Sequence, residues 1–133
     1  MPVLSDKPKT KRVYCQERPG EKPAAPHLRR QWLGRYIISR YPDWQNTRVD
    51  VLDRWFVERY TQATNAPFLA MPYGADKCPM LGKDLGHMYE LGFLSRSATG
   101  IQGMGGMGFP AWVWTYKLTQ TGYDYYKDVA LPL

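Results

Sequence analysis

Apolar positions in the C-terminal half of the chain change period twice. From Pro79 onward Leu81, Leu85 and Met88 recur at helical spacing until Gly92 ends the run, and Pro79 suits a first helical position because its missing N–H is no loss there. The pattern predicts a helix over residues 79–91, with Lys83, His87 and Glu90 on its outer face and Met80 toward one edge. Gly82 and Gly86 lie on or beside that face. Each costs about 1 kcal/mol of helix propensity relative to Ala, so close approach to another surface should offset them. Residues 93–97 form a short strand candidate. Residues 111–118 then alternate strictly, with Trp112, Trp114, Tyr116 and Leu118 on one side and Val113, Thr115 and Lys117 on the other. Two strands around a Gly-rich loop predict a hairpin whose buried face is the Trp/Tyr/Leu set. Thr119 or Thr121 can then cap a last helix over residues 123–127.

The N-terminal half predicts two helices. Leu28, Trp32, Leu33, Tyr36, Ile37 and Tyr41 supply the apolar surface of a helix over residues 27–41, which Pro42 stops. Its four arginines, Arg29, Arg30, Arg35 and Arg40, do not share one face, so some can contact phosphate while others lie along the aromatic rings. Thr47 to Asp50 has capping-box spacing and starts a second helix near Arg48. Its apolar side is read as Val51, Leu52, Trp55, Phe56 and Tyr60, opposite Asp53, Arg54, Val57 and Glu58, which makes it a core helix. Residues 61–77 are the least patterned. Two prolines, Pro67 and Pro72, leave room only for a short strand at residues 68–71, pairing with the hairpin, or for one turn of helix.

The order of the C-terminal elements resembles a known family. Tyr89-Glu90-Leu91-Gly92-Phe93-Leu94-Ser95-Arg96 leads from a helix into a long hairpin, and Tyr116-Lys117-Leu118-Thr119-Gln120-Thr121-Gly122 leads out of it into another helix. These stretches, about a third of the chain, look like the recognition helix, wing and following helix of winged helix-turn-helix DNA-binding proteins. The resemblance implies an α+β, mostly helical winged helix domain over residues 27–133, with a C-terminal β-hairpin wing. It also implies a helix that enters a DNA groove. In place of the short helix that such a motif sets directly before the recognition helix, this chain has the proline-interrupted stretch.

Composition sharpens the expected partner. The 133 residues carry a net charge of +6, so a polyanion is the first partner to consider. Residues 1–26 hold five of the eleven prolines with Lys7, Lys9, Lys11, Arg12, Arg18 and Lys22, and read as a flexible basic arm. Five tryptophans and ten tyrosines are ample for a folded core. No apolar run approaches a membrane span, no signal-peptide pattern is present, and a cytoplasmic protein is expected, nucleoid-associated if it is DNA-bound. Cys15 and Cys78 form no disulfide framework and should be reduced thiols.

The expected function is sequence-specific binding of double-stranded DNA by a small transcriptional regulator. Lys83, His87 and Met80 would face the groove, Arg96 and Lys117 would flank it on the wing, and Arg29, Arg30 and Lys77 would add phosphate contacts. The wing tip, with Gln102, Met104, Met107 and Phe109, is uncharged and rich in glycine and methionine. It suits a minor groove or a protein partner equally, which leaves a protein-interaction module, such as a virus-encoded inhibitor or accessory factor, as the alternative. Trp112, Trp114 and Tyr116 could also stack unpaired bases. The Gly103, Gly105, Gly108 spacing matches a dinucleotide-binding fingerprint, but a strand follows it where a helix is required. His27, His87 and the two cysteines lack metal-ligand spacing and no catalytic set is placed by a motif. Neither an enzyme nor a cofactor is therefore expected.

Overall fold

In a computed structural model of the chain, residues 13–102 and 112–131 are described. Four helices and one antiparallel hairpin follow in the order α1 (Pro26–Arg40), α2 (Arg54–Thr64), α3 (Pro79–Glu90), β1 (Leu94–Gln102), β2 (Trp112–Leu118) and α4 (Gln120–Tyr126). The architecture is α+β and winged-helix-like, with the hairpin following three helices and α4 closing the chain. Among the described residues no helix is long and apolar enough to cross a membrane.

The core forms where α1, α2 and α3 meet the hairpin base. Trp32, Leu33 and Ile37 from α1 pack with Phe56, Val57 and Tyr60 from α2 and with Leu81, Leu85 and Met88 from α3. Aromatic stacking orders α1 on α2: Trp32 lies against Tyr36 at 4.6 Å and edge-on to Tyr60 at 6.2 Å, while Tyr36 meets Phe56 at 6.1 Å. The pairings 32 with 60 and 36 with 56 make the two helices antiparallel. Leu94, Tyr116 and Leu118 close the core from the hairpin.

The second helix starts later than the capping-box reading expects. Asp53, not Thr47, is its cap and accepts the Phe56 N–H, while Val49 is drawn out to pair with Tyr116 through two backbone hydrogen bonds of 2.8 Å. The helix starts six residues later than expected, and its buried side is Phe56, Val57, Tyr60, Thr61 and Thr64. Val57 is buried and Trp55 is 67% exposed, the reverse of the expected assignment.

Two short sequence motifs have mechanical explanations. At the end of α3, Gly92 takes φ +82°, its N–H donates to the Tyr89 carbonyl at 3.0 Å and the Phe93 N–H donates to the Met88 carbonyl at 2.9 Å. This is a Schellman cap, and it turns the chain straight into β1. After β2, the Thr119 hydroxyl donates to the Gly92 carbonyl at 2.7 Å and accepts the Gly122 N–H at 3.0 Å. Gly122 sits so close to the Phe93 carbonyl that a Cβ there would collide with backbone. One threonine therefore ties the exit of the wing to its start.

The arm is held more than its composition predicts. Cys15 pairs with Phe68 through backbone hydrogen bonds of 2.8 and 2.9 Å. Asn65, the left-handed cap of α2 at φ 58°, accepts the Arg18 N–H at 2.8 Å and donates to the carbonyls of Arg18 and Glu21. A flexible arm up to Pro26 is thus corrected: residues 15–21 are pinned to the end of α2, and residues 1–12 lie outside the described part. Residues 68–71 likewise pair with Cys15 and, through Leu69, with Lys77, and not with the hairpin as expected.

Gly34 gives a direct test of the packing of α1 on α4. A Cβ at this position would fall within the Tyr126 ring, whose side chain is itself buried. Gly34→Ala should therefore destabilise the protein by about 1–3 kcal/mol despite the better helix propensity of alanine, read as a lower urea midpoint. An unchanged or raised midpoint would show that the two helices do not approach this closely.

Candidate nucleic-acid interface

The orientation of α3 is decided at one buried carboxylate. Asp84, 2% exposed, accepts from Arg29 Nε at 2.9 Å and from Arg29 Nη2 at 3.1 Å, and also takes the Tyr60 hydroxyl proton in a hydrogen bond. Arg29 Nη1 donates to the Ala24 carbonyl at 2.7 Å. Burial, and then the Asp84 charge, push the Tyr60 hydroxyl far above its ordinary value, so it remains a donor. The Arg29 pKa is raised by its hydrogen bond and ion pair with Asp84, against a desolvation that pulls the other way. α1, α2 and α3 each contribute one member of this junction. Leu81, Asp84, Leu85 and Met88 all turn inward as a result, and the opposite side of α3 faces outward.

That outward side is where the expected recognition residues lie. Lys83 and His87 are exposed one turn apart, as is Glu90, and Met80 is half-buried at one edge. At 100° per residue Gly82 and Gly86 lie between Glu90 and Lys83 on one flank and Tyr89 on the other. Among the described residues a Cβ added at either glycine would meet nothing within 4 Å, so their packing requires neither glycine.

The wing supplies the second flank. Arg96 places its guanidinium 4.0 Å from the Tyr89 ring centroid and 4.2 Å from that of Trp114, between a helix aromatic and a strand aromatic. Trp114 is 43% exposed, so the expected buried face of β2 holds at Tyr116 and Leu118 but opens at Trp114. Val113, on the expected outer side, is buried.

The remaining expected contacts are dispersed. In the hairpin register Arg96 pairs with Tyr116 and Ser95 with Lys117, so Arg96 and Lys117 project from opposite faces of the wing. Lys117 shares its side with Arg48, whose guanidinium donates to Ser97 Oγ and to Thr115 Oγ1 at 3.4 Å. Arg48 was not among the expected contacts, because a residue read as starting a helix gave no signal of lying across the wing. Arg29 is a correction, since its guanidinium is committed to Asp84 and Ala24 and is not offered to a phosphate. Arg30 is half-buried in a small cleft beside Leu91, Phe93 and Tyr125. Lys77 is half-buried, with its backbone paired to Leu69. Met80 and Lys83 line an open pocket of about 570 Å³ with Tyr14, Arg29, Pro67 and Pro79. Met104, Met107 and Phe109 lie outside the described residues, as does the side chain of Gln102. Among the described residues no group of three His, Cys, Asp or Glu side chains could hold a metal ion.

Asp84 left a trace in the sequence that the apolar pattern hid. It stands three residues after Leu81 and four before Met88, so it falls on the inward face of an otherwise apolar stripe. A buried acid calls for a cation, and α1 carries four arginines and no acidic residue.

Comparison of the chain with protein-family models, curated proteins and solved structures finds no match. The class of protein therefore rests on its own geometry: a small α+β, winged-helix-like fold with a cation-flanked helix face.

Burial around the junction sets an alkaline limit on stability. The Cys78 thiol, beside the start of α3, is pushed up to about 11 by burial, and Tyr60 and Tyr126 are raised by the same cause. For such groups the folded state holds the proton more tightly than the unfolded chain. Their contribution is complete below the ordinary thiol value of about 9 and is lost as pH rises through the folded value. The urea midpoint should hold from pH 7 to 8.5 and then fall, with Cys78 responsible for about 1 kcal/mol by pH 10. Cys78→Ala should remove that part of the slope. An equal slope in the variant would show that the thiol is not shielded.

Proposed function

We propose that this protein binds double-stranded DNA, with the outward face of α3 set into a groove and the wing base against the flanking backbone, in the manner of a small transcriptional regulator. The observation that carries the reading is the uncovered Gly82–Gly86 strip, with Lys83, His87 and the acid Glu90 on one flank and Arg96 held by Tyr89 and Trp114 on the other. Two glycines in a twelve-residue helix cost about 2 kcal/mol of propensity, and nothing among the described residues packs against them. A surface that must come close to another backbone offsets that cost, and cations on both sides favour a polyanion. Lys83 can reach guanine acceptors or phosphate. Arg96, stacked on two rings, is already ordered for contact, so less side-chain entropy is lost on binding. Lys7, Lys9, Lys11 and Arg12 add sequence-independent attraction, and Arg48 and Lys117 add charge on the far side of the wing.

A protein partner is the second reading, favoured by the apolar surface beside the same helix: Leu91 is 50% exposed and Tyr125 is 53% exposed. Pull-down from nuclease-treated lysate separates the two. A partner retained at high salt favours the protein reading, and salt-sensitive duplex binding favours DNA.

Two substitutions distinguish a docking face from an ordinary solvated helix. Lys83→Ala should weaken duplex binding about tenfold without moving the urea midpoint. Gly86→Ala should raise stability by up to about 1 kcal/mol while lowering duplex affinity, because the added methyl group holds the partner off. If Gly86→Ala raised stability and left binding intact, the strip would not be the contact surface. Deleting residues 1–12 leaves the Cys15 and Arg18 anchors in place and should flatten the salt dependence of binding to all sequences.

A further inference from the structure

A second cleft lies at the other end of the α1/α2 pair. It encloses about 320 Å³ and is lined by Tyr36, Arg40 and Tyr41 from the end of α1 and by Asp53, Trp55 and Arg59 from the start of α2. The junction with α3 engages α1 at Arg29 and α2 at Tyr60. Arg40 is eleven residues further along α1, about 16 Å at 1.5 Å per residue, so the cleft is separate from the α3 face.

Among the described residues, three features of this cleft have no structural role elsewhere. Trp55 is 67% exposed on a helix whose inner face is already filled by Phe56, Val57 and Tyr60. Arg59 holds its guanidinium 5.7 Å from the Trp55 ring centroid and donates to Gln62 Oε1 at 2.8 Å. Arg40 lies 5.7 Å from the Tyr41 centroid. Among the described residues neither arginine forms an ion pair. Asp53, the one carboxylate among the described lining residues and the cap of α2, is outnumbered by the two arginines, so this lining keeps a net positive charge. The cleft therefore offers two guanidinium forks from different helices beside an open indole and two phenol rings.

We propose that this cleft binds a nucleoside phosphate, with the base stacked on Trp55 and the phosphate held between Arg40 and Arg59. A planar base matches the exposed indole, and stacking on an aromatic side chain tolerates any base. A phosphate accepts from two arginine forks at once, which a single carboxylate does less fully. The volume suits a ligand at the small end of the usual pocket range of about 300–1,000 Å³, the size of one nucleotide. The same chemistry is offered by a free nucleotide and by one unpaired nucleotide of a strand, and strand length tells them apart.

The test is an NMR titration of the full chain, read at the Trp55 indole, assigned with Trp55→Phe, and at the α2 backbone amides. AMP, adenosine, inorganic phosphate and a dT tetranucleotide are the probes. AMP should bind at least about tenfold more tightly than adenosine or phosphate alone, since both halves of the cleft are used. Arg40→Gln and Arg59→Gln should each weaken AMP about fivefold or more, Trp55→Ala should abolish the α2 shifts, and Lys83→Ala should leave them unchanged. Tighter binding of the tetranucleotide assigns the cleft to a strand, and equal binding assigns it to a free nucleotide. Phosphate binding as well as AMP, or AMP shifts that survive Trp55→Ala, would overturn the proposal. So would loss of the shifts in Lys83→Ala, which would place the ligand on α3 and leave the duplex reading to be judged by its own variants. Trp55 and Arg40 are exposed, so these variants leave the core intact.

Discussion

Three helices of this fold are joined by one buried carboxylate. Asp84 is enclosed, and its ionised form is tolerable only because the Arg29 fork and the Tyr60 hydroxyl both donate to it. Such a cluster adds little net stability compared with an apolar replacement of equal volume, but it punishes any arrangement that leaves one member unpaired. Its consequence is directional. A helix whose core side is purely Leu and Met can rotate by a fraction of a turn at small cost, whereas one with Asp84 on that side can seat in only one way. The outward exposure of Lys83, His87 and the two glycines follows from that seating.

The wing is attached by a different device. The Schellman cap at Gly92 converts the last turn of α3 directly into β1, and the Thr119 hydroxyl returns to the Gly92 carbonyl from the far end of the hairpin. The angle between α3 and the wing is therefore set by backbone hydrogen bonds and not by long side chains. Arg96 then bridges the two elements, stacked on Tyr89 of α3 and Trp114 of β2. A cation placed this way is ordered before any partner arrives.

Legibility in the sequence tracked the range of the interactions. α3, the hairpin and the final cap were readable because each is encoded within a few residues: Leu81 to Met88 by period, Trp112 to Leu118 by alternation, Thr119 and Gly122 by capping chemistry. The start of α2 was not, because a local capping box at Thr47 competes with a distant strand partner: Val49 hydrogen bonds to Tyr116, and a pattern within one segment cannot register that. The same applies to Asn65, whose side chain organises Arg18 and Glu21 from more than forty positions away. Arg29 was expected at a phosphate because α1 carries four arginines that share no face, so that some were left to contact one. Its partner sits 55 residues later in a stripe that otherwise reads as apolar. The outward face of α3 was legible; the reason it is held outward was not.

A double-mutant cycle on Asp84 and Arg29, followed by urea unfolding, tests most directly whether this junction seats α3. Each single alanine variant strands a buried charge and should cost about 3–5 kcal/mol. Removing both should cost well below the sum, with a coupling of about 2 kcal/mol or more. Additive losses would contradict the account, because they would mean that the two side chains do not depend on one another and that the orientation of α3 is set elsewhere.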